Sequence, residues 1–435
     1  MKILVPILFI IAFSAIIFFF KWFKVDNIKR PLIHMFFAIK LLGGVAIFAI
    51  YSSYYDINNS DIYKYYKGGK EIYKAKEEMG LASYIKLVTG IDDNSQELYK
   101  YKDNTNVWSR QYDFGLYNDC RTIIRFNALL LLISNDNILV HIVIMAFLSF
   151  LGCFALFKSF MRLLPKTNKY LLLAATFVIP SCLIWTSGLL KEGLAMFSMG
   201  FLMYFFTKIY TKFRILDFLF FIVFCCALFI SKVYILPALL PALLFMFVTK
   251  RMNIKQQFLS LTILFFVCSS FLFFSDKIID YDIIEAISQK RNVFINFLEV
   301  EGGGSSFVID KIDTSNKMDF VKIIPEALVN SFFRPFVSNI NSPLLLLSFI
   351  EVCLLFCLLL VTIFLFKKPD AETCRFIITS LIFVFVFYTL VGVITPNIGA
   401  LVRYRTPALP FIVAAMFGMF SKIPKTAAPL PDICA

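Results

Sequence analysis

Two arginines two positions apart are the first residues in this chain whose type and spacing suggest chemistry. Arg403 and Arg405 flank Tyr404 and are followed by Thr406-Pro407, where an apolar segment begins. A guanidinium at a membrane boundary is costly unless an anion partners it. The spacing predicts two planar forks at one depth, with Tyr404 between them, which together suit a phosphate. Neutralisation of acids within the fold is the structural alternative.

Two acidic residues stand at the ends of apolar segments. Asp61 follows an early segment beside a cluster of tyrosines. Its carboxylate is suited to act as a general base toward a hydroxyl or to hold a divalent cation such as Mg²⁺ or Mn²⁺. It is equally suited to be a solvated acid or the N-cap of a helix over 62–76. Glu192 follows Lys191, and this pair is either an interfacial ion pair or a second catalytic or sugar-binding acid with its cation.

Three further charged residues interrupt or border apolar runs. Lys232 separates two of them and can reach a phosphate or snorkel to the interface. Arg334, before Pro335, adds another candidate cation for an anionic ligand. Glu351 lies inside an apolar run, where a carboxylate is a functional candidate, although pairing with an arginine would serve stability equally well.

The composition indicates a membrane protein. Hydrophobic residues make up 59% of the 435 positions and the mean hydropathy is +0.78, against roughly 45–50% apolar residues in soluble domains. The formal net charge of +14 is concentrated in short runs between apolar segments. This distribution is a topology signal and does not indicate a nucleic-acid surface. Most of the ten cysteines lie within apolar runs, and with two histidines the sequence predicts no zinc site.

The chain predicts an all-α polytopic membrane protein with eleven spans, each near the roughly 20 residues that cross a bilayer. The apolar runs are 3–20, 32–54, 138–157, 170–187, 194–206, 215–230, 233–248, 258–274, 343–366, 376–394 and 406–420. Five basic connections fall on one side if the spans alternate, which predicts that this side is cytoplasmic. These connections are 21–30, 158–169, 208–214, 250–255 and 367–375. The N-terminus is therefore expected outside and the C-terminus in the cytoplasm.

Two long polar regions fall on the predicted outer side, at 55–121 and 275–342. We expect short interfacial helices there, among them one over 121–134. The candidate residues lie mostly at this outer face, which is where function is sought. A single integral-membrane domain is predicted over 1–424, followed by a disordered tail at 425–435.

With these motifs the chain resembles the GT-C superfamily, bacterial membrane glycosyltransferases of surface-polysaccharide synthesis. The resemblance covers most of the chain. In this family the catalytic acid usually follows the first span, whereas Asp61 follows the second. The matching features are Asp61, the segment 180–192, the segment 325–336, Glu351 and the segment 397–410.

The resemblance implies transfer of a sugar from a polyprenyl-phosphate-linked donor to a glycan or lipid-linked acceptor. The reaction would take place at the outer face of the bacterial cytoplasmic membrane. Asp61 would be the base for the acceptor or a ligand of a divalent cation, with Glu192 as a supporting acid. Arg403, Arg405 and Arg334 would bind the lipid phosphate and stabilise it as a leaving group. The expected partners are donor, acceptor and membrane lipids, without nucleic acid.

Other functions remain compatible with the sequence. A polysaccharide polymerase of the Wzy type also has two long outer regions rich in arginine and uses lipid-pyrophosphate-linked repeat units. A flippase or transporter of lipid-linked sugars would carry polar residues along the middle of its spans, and the Phe/Leu-rich runs count against it. A non-catalytic scaffold of an envelope complex would use the outer regions to bind proteins.

Overall fold

The computed structural model describes most of the chain, and the described residues form helices without strands. The described ranges are 3–53, 57, 60–105, 107–109, 117–301, 305–314 and 316–420. The expected tail at 425–435 lies outside them. In chain order the helices are α1 Leu4–Phe19, α2 Arg30–Ser53, α3 Asp61–Met79, α4 Leu81–Thr89, α5 Gln96–Asp103, α6 Cys120–Ser134, α7 Ile138–Leu163, α8 Lys169–Phe177, α9 Pro180–Ile184, α10 Lys191–Thr211, α11 Ile215–Ser231, α12 Ile235–Val248, α13 Ile254–Phe273, α14 Ser275–Ile279, α15 Ile283–Glu301, α16 Lys317–Phe333, α17 Pro343–Phe364, α18 Ala371–Ile394, α19 Ile398–Arg405 and α20 Leu409–Phe420.

Six of the described helices are long and apolar enough to cross a membrane, namely α2, α7, α10, α13, α17 and α18. The helices α1, α11 and α12 are apolar but shorter, with 16, 17 and 14 residues. The expectation of an all-helical membrane protein is therefore met at this level. The run predicted over 170–187 is divided into α8 and α9 because Pro180, which has no N–H, begins a new helix.

The centre of the bundle is formed by α7 and α10. The two helices are closest where Gly152 faces Gly200, because a Cβ added to Gly200 would lie 1.9 Å from the Gly152 carbonyl oxygen. Such small residues allow two helix backbones to approach closely inside a membrane. Phe150, Phe154 and Phe157 of α7 are fully buried. Both α1 and α2 also pack on α7, so the N-terminal helices share this core.

Helices α3 to α6 lie between α2 and α7 in the chain, and α3 packs on α6. We call these four helices the cap. The helix expected over 121–134 is present as α6, but its arginines bind within the protein. Arg121 Nε donates to the Trp108 carbonyl at 2.9 Å, and Arg125 Nη2 lies 3.2 Å from Asp93 Oδ2. Both guanidinium groups lie over the buried Trp108 ring. These arginines therefore stabilise the cap.

The second polar region folds back onto the helix that carries the two arginines. The segment after α15 runs beside the residues that precede α19, because the Phe307 N–H donates to the Pro396 carbonyl at 3.0 Å. The Ile398 N–H in turn donates to the Ser305 carbonyl at 2.9 Å. These bonds place Ser305 at the N-terminus of α19, next to the candidate site.

Candidate functional site

Helix α19 presents Arg403 and Arg405 on opposite faces, because residues two apart in an α-helix differ by about 200°. The Asn397 side chain caps this helix and accepts a hydrogen bond from the Ala400 N–H at 3.0 Å. The spacing predicts two forks at one depth, and the helix directs these two forks to different sides. The two arginines belong instead to two separate groups of charged residues.

Arg403 bridges two acids that are distant in sequence. Its Nη1 lies 2.6 Å from Asp61 Oδ2, and its Nε lies 3.2 Å from Glu192 Oε1. The same Glu192 oxygen is 2.7 Å from Lys232 Nζ. Lys232 Nζ also lies 4.3 Å from the centre of the Tyr404 ring, within the range of a cation–π contact. We call these five residues the Arg403 cluster.

Helix ends bring the cluster together. Asp61 is the first residue of α3 and follows Ser60, so it is not the N-cap and the helix begins one residue earlier than expected. Glu192 lies in the first turn of α10, and Lys232 follows the last turn of α11. Acids at helix N-termini and bases at C-termini are favoured by the helix dipole. Each charge is therefore stabilised by its own helix as well as by its partners.

The members of the cluster differ in exposure. Glu192 and Lys232 are each 1% exposed, whereas Arg403 is 11% and Asp61 33% exposed. Arg403 Nε and Lys232 Nζ both contact Glu192 Oε1, at 3.2 and 2.7 Å. Burial lowers the pKa of Arg403, but Glu192 and Asp61 raise it by more, so this guanidinium pKa lies well above its usual value.

A cavity of about 520 Å³ opens beside Arg403. This volume falls within the roughly 300–1,000 Å³ typical of small-molecule sites. The wall combines aromatic rings with amide and hydroxyl groups that donate and accept hydrogen bonds. Its polar and aromatic residues include Tyr51, Trp185, Ser305, Asn341, Ser342 and Asn397. The cavity thus offers hydrogen-bonding groups and the cation of Arg403 among its lining residues.

Arg405 lies in a second, enclosed group that we call the Arg405 cluster, made of Arg405, Glu351, Ser181 and Ser331. Arg405 is 1% exposed, and its Nη1 donates to the carbonyl oxygens of Ser331 and Arg334 at 3.1 and 2.6 Å. Its Nη2 lies 3.8 Å from Glu351 Oε1. Glu351 accepts hydrogen bonds from the Ser181 N–H and hydroxyl at 2.6 and 2.8 Å. This cluster joins α9, α16 and α17, and it matches the alternative in which Glu351 pairs with an arginine.

Two other candidate cations are bound elsewhere. Lys191 Nζ lies 2.9 Å from Asp119 Oδ1 and does not pair with the adjacent glutamate. The Arg334 side chain donates to Asn330 and Asn339 at 2.8 and 3.0 Å. Its guanidinium also lies 3.8 Å from the centre of the Phe307 ring. Neither side chain joins the Arg403 cluster.

Lys40 is a buried charge that sequence reasoning missed. Its amine donates to Ser149 Oγ at 3.0 Å and to the Cys182 carbonyl and Thr186 Oγ1 at 2.7 Å each. These bonds tie the chain on both sides of Trp185, a residue of the cavity wall, to α2 and α7. The available signal was a lysine inside the apolar run 32–54, since such residues are rare and have a specific role.

The Arg403 cluster does not fit a divalent cation. Magnesium and manganese prefer several oxygen ligands. A metal would have to replace Arg403 between Asp61 and Glu192, beside the buried Lys232. Within the described ranges there is no group of three or more potential ligands among His, Cys, Asp and Glu.

Comparisons with known proteins give no further guide to the site. No family model, curated protein or solved structure matches the chain. A function must therefore be inferred from the geometry and chemistry of the site, because the fold class alone does not imply one.

Proposed function

We propose that the protein is a membrane glycosyltransferase that moves a sugar from a polyprenyl-phosphate-linked donor to a glycan or lipid-linked acceptor. The observation that carries the proposal is that Arg403 is one of the residues lining the cavity of about 520 Å³. A guanidinium binds phosphate through charge-assisted hydrogen bonds, and the amides and hydroxyls of the wall are suited to sugar hydroxyl groups. Donor phosphate and sugar would thus be held side by side.

In the proposed reaction the acceptor oxygen attacks the anomeric carbon as the bond between that carbon and the phosphate oxygen breaks. Asp61 takes the proton of the acceptor hydroxyl, and its 33% exposure leaves it accessible. Arg403 stabilises the negative charge that develops on the leaving phosphate. The phosphate departs as an anion, so a general acid is not required. A single displacement of this kind inverts the anomeric carbon.

Glu192 and Lys232 lie buried behind Arg403 and hold its side chain in position. Their side chains are each 1% exposed, and Glu192 Oε1 contacts both Lys232 and Arg403. A buried carboxylate with two cations is held firmly because an unpaired buried charge is costly. We therefore assign Glu192 as a positioning residue for Arg403. No metal is included in the proposal.

The proposal also includes eleven spans, the N-terminus outside and the Arg403 cluster at the outer face of the bacterial cytoplasmic membrane. The basic connections, all on one side under alternation, support this orientation. Single cysteines at Lys70 and Lys368, in a background without other cysteines, test it in intact cells. A membrane-impermeant maleimide should label position 70 directly and position 368 after permeabilisation. The reverse pattern would contradict the orientation.

A polymerase that uses lipid-pyrophosphate donors is the second candidate. Arg403 lines the cavity, and its guanidinium can bind a diphosphate as well as a single phosphate. The lipid-linked intermediate that accumulates in a deletion strain separates the two reactions. A truncated unit indicates a transferase, whereas a complete repeat unit indicates a polymerase.

Complementation of that strain tests the proposed site. Wild-type protein should clear the accumulated intermediate. Arg403→Ala and Asp61→Asn should leave it in place while their amount in the membrane stays near wild type. Clearance by Arg403→Ala at the wild-type rate would make this arginine a structural anchor.

A further inference from the structure

A second crevice lies at the end of the bundle with the basic connections, between α10, α11 and α12. Its volume is about 630 Å³. It is formed where α10 ends, α11 begins and α12 ends, so all three helices contribute from the same end of the bundle. Its walls are aromatic and its rim is basic, with Phe206, Phe218, Phe221, Phe247, Lys250 and Arg251 among the lining residues.

The crevice is apolar and accessible from the side of the bundle. Phe213, Phe218 and Phe247 are exposed although they line it. Exposed aromatic side chains on membrane-embedded helices meet lipid chains, which are as apolar as the side chains themselves. An acyl chain is therefore an occupant of suitable chemistry for the walls.

The rim carries positive charge that the protein neutralises only in part. The two connections 208–217 and 249–255 contain six Lys or Arg and one acid. That acid, Asp217, is paired with Lys208. The Lys250 amine donates to the Tyr210 carbonyl, and Arg251 is exposed and forms no ion pair with a described residue. An anionic head group would find uncompensated charge at this rim.

We propose that this crevice binds an anionic phospholipid. One acyl chain lies among the phenylalanines, and the phosphate contacts Lys250 and Arg251. In the proposed orientation this end lies at the cytoplasmic leaflet, where anionic lipids provide a negative surface. The proposal is independent of the proposed glycosyl transfer, because the Arg403 cluster is formed at other ends of the helices involved.

Native mass spectrometry of the delipidated protein tests the proposal, with phosphatidylglycerol and phosphatidylcholine of identical chains as probes. Phosphatidylglycerol should bind more tightly to the wild-type protein. Lys250→Gln with Arg251→Gln should weaken phosphatidylglycerol about fivefold to thirtyfold, since each basic residue near an anionic lipid contributes about a factor of five. Phosphatidylcholine binding should stay unchanged.

Lys367→Gln with Lys368→Gln is the matched control, because these exposed lysines lie in another basic connection outside the crevice. The control variant should keep wild-type affinity for phosphatidylglycerol. Equal affinity of the wild type for both lipids, or an equal loss in the control, would overturn the proposal.

Ile209→Trp fills the crevice and leaves its charge intact. This variant should reduce phosphatidylglycerol binding, and an unchanged affinity in a variant with a wild-type size-exclusion profile would also overturn it.

Discussion

Arg403 and Arg405 are two residues apart in one short helix, yet their surroundings differ in kind. Arg403 is 11% exposed and contacts carboxylates from α3 and α10 beside a cavity. Arg405 is 1% exposed and is held by backbone carbonyls and by Glu351. A partly exposed carboxylate partner is exchangeable for another anion, whereas carbonyls of a packed helix end are fixed. We therefore propose a ligand-binding role for Arg403 and a stabilising role for Arg405.

The largest expected effect is that of Arg405→Ala on stability. The substitution leaves Glu351 buried without its cation, and breaking a buried pair costs about 3–5 kcal/mol. Thermal unfolding in detergent and the amount of protein in the membrane measure the loss. A melting temperature equal to that of wild type would contradict a stabilising role for Arg405.

A paired variant sharpens this result. Arg405→Met together with Glu351→Gln removes both charges, and such replacements are often close to neutral. The double variant should recover most of the stability lost in Arg405→Ala. Recovery of activity together with stability would further show that Arg405 does not contact the substrate. A stable double variant without activity would instead place Arg405 in the binding site.

Arg403→Ala should mainly reduce activity and have a smaller effect on stability than Arg405→Ala. Glu192 keeps Lys232 as a partner and Asp61 is partly exposed, so we expect a loss of only about 1–2 kcal/mol in stability. Transfer should fall about 100-fold or more, as it does when one fixed donor to a developing anion is removed. Arg403→Lys keeps the charge but loses the planar fork that reaches Asp61 and Glu192 through separate nitrogens, so its activity should be intermediate. The rate at which the lipid-linked intermediate is cleared measures the activity of the wild type and of both variants.

Glu192→Gln should weaken donor binding because Arg403 loses one of its two anchors. We expect KM for the donor to rise about tenfold with a smaller change in kcat. A purely structural role would lower the amount of folded protein and leave KM unchanged. Partial rescue of KM by Glu192→Asp would support the positioning role, since the charge is restored at a shorter reach.

The smallest expected effect is that of Asn341→Ala at the cavity wall. Loss of one hydrogen bond to a ligand costs about 0.5–1.5 kcal/mol, which corresponds to about a threefold to tenfold fall in kcat/KM. Asn104→Ala, an exposed asparagine of the cap that does not line the cavity, is the control and should have no effect on transfer.

The sequence alone predicts the helical membrane class, because long apolar runs specify helices that hide their backbone polar groups from lipid. Local sequence also predicts that charges stand at helix ends, as Asp61, Glu192 and Lys232 do. It does not predict their partners. Lys191 and Glu192 are adjacent, yet Lys191 binds Asp119 and Glu192 binds Lys232, because packing of distant helices decides which charges meet.

The difference between the two arginines was also beyond sequence reasoning. The prediction of two forks at one depth did not include a helix over these residues, whereas α19 turns them to opposite faces. The N-cap Asn397 indicates this helix start, but the helix has only eight residues and its apolar pattern is weak. Lys40 was missed because a single charge hardly changes the average hydropathy of a long apolar run.

The most direct measurement is the affinity of the purified protein for farnesyl phosphate, a short polyprenyl phosphate, with farnesol as the neutral control. We predict that the wild type prefers farnesyl phosphate and that Arg403→Ala reduces this preference at least tenfold. The double variant Arg405→Met with Glu351→Gln should keep the preference. A phosphate preference that persists unchanged in a folded Arg403→Ala variant would contradict an anion site at Arg403.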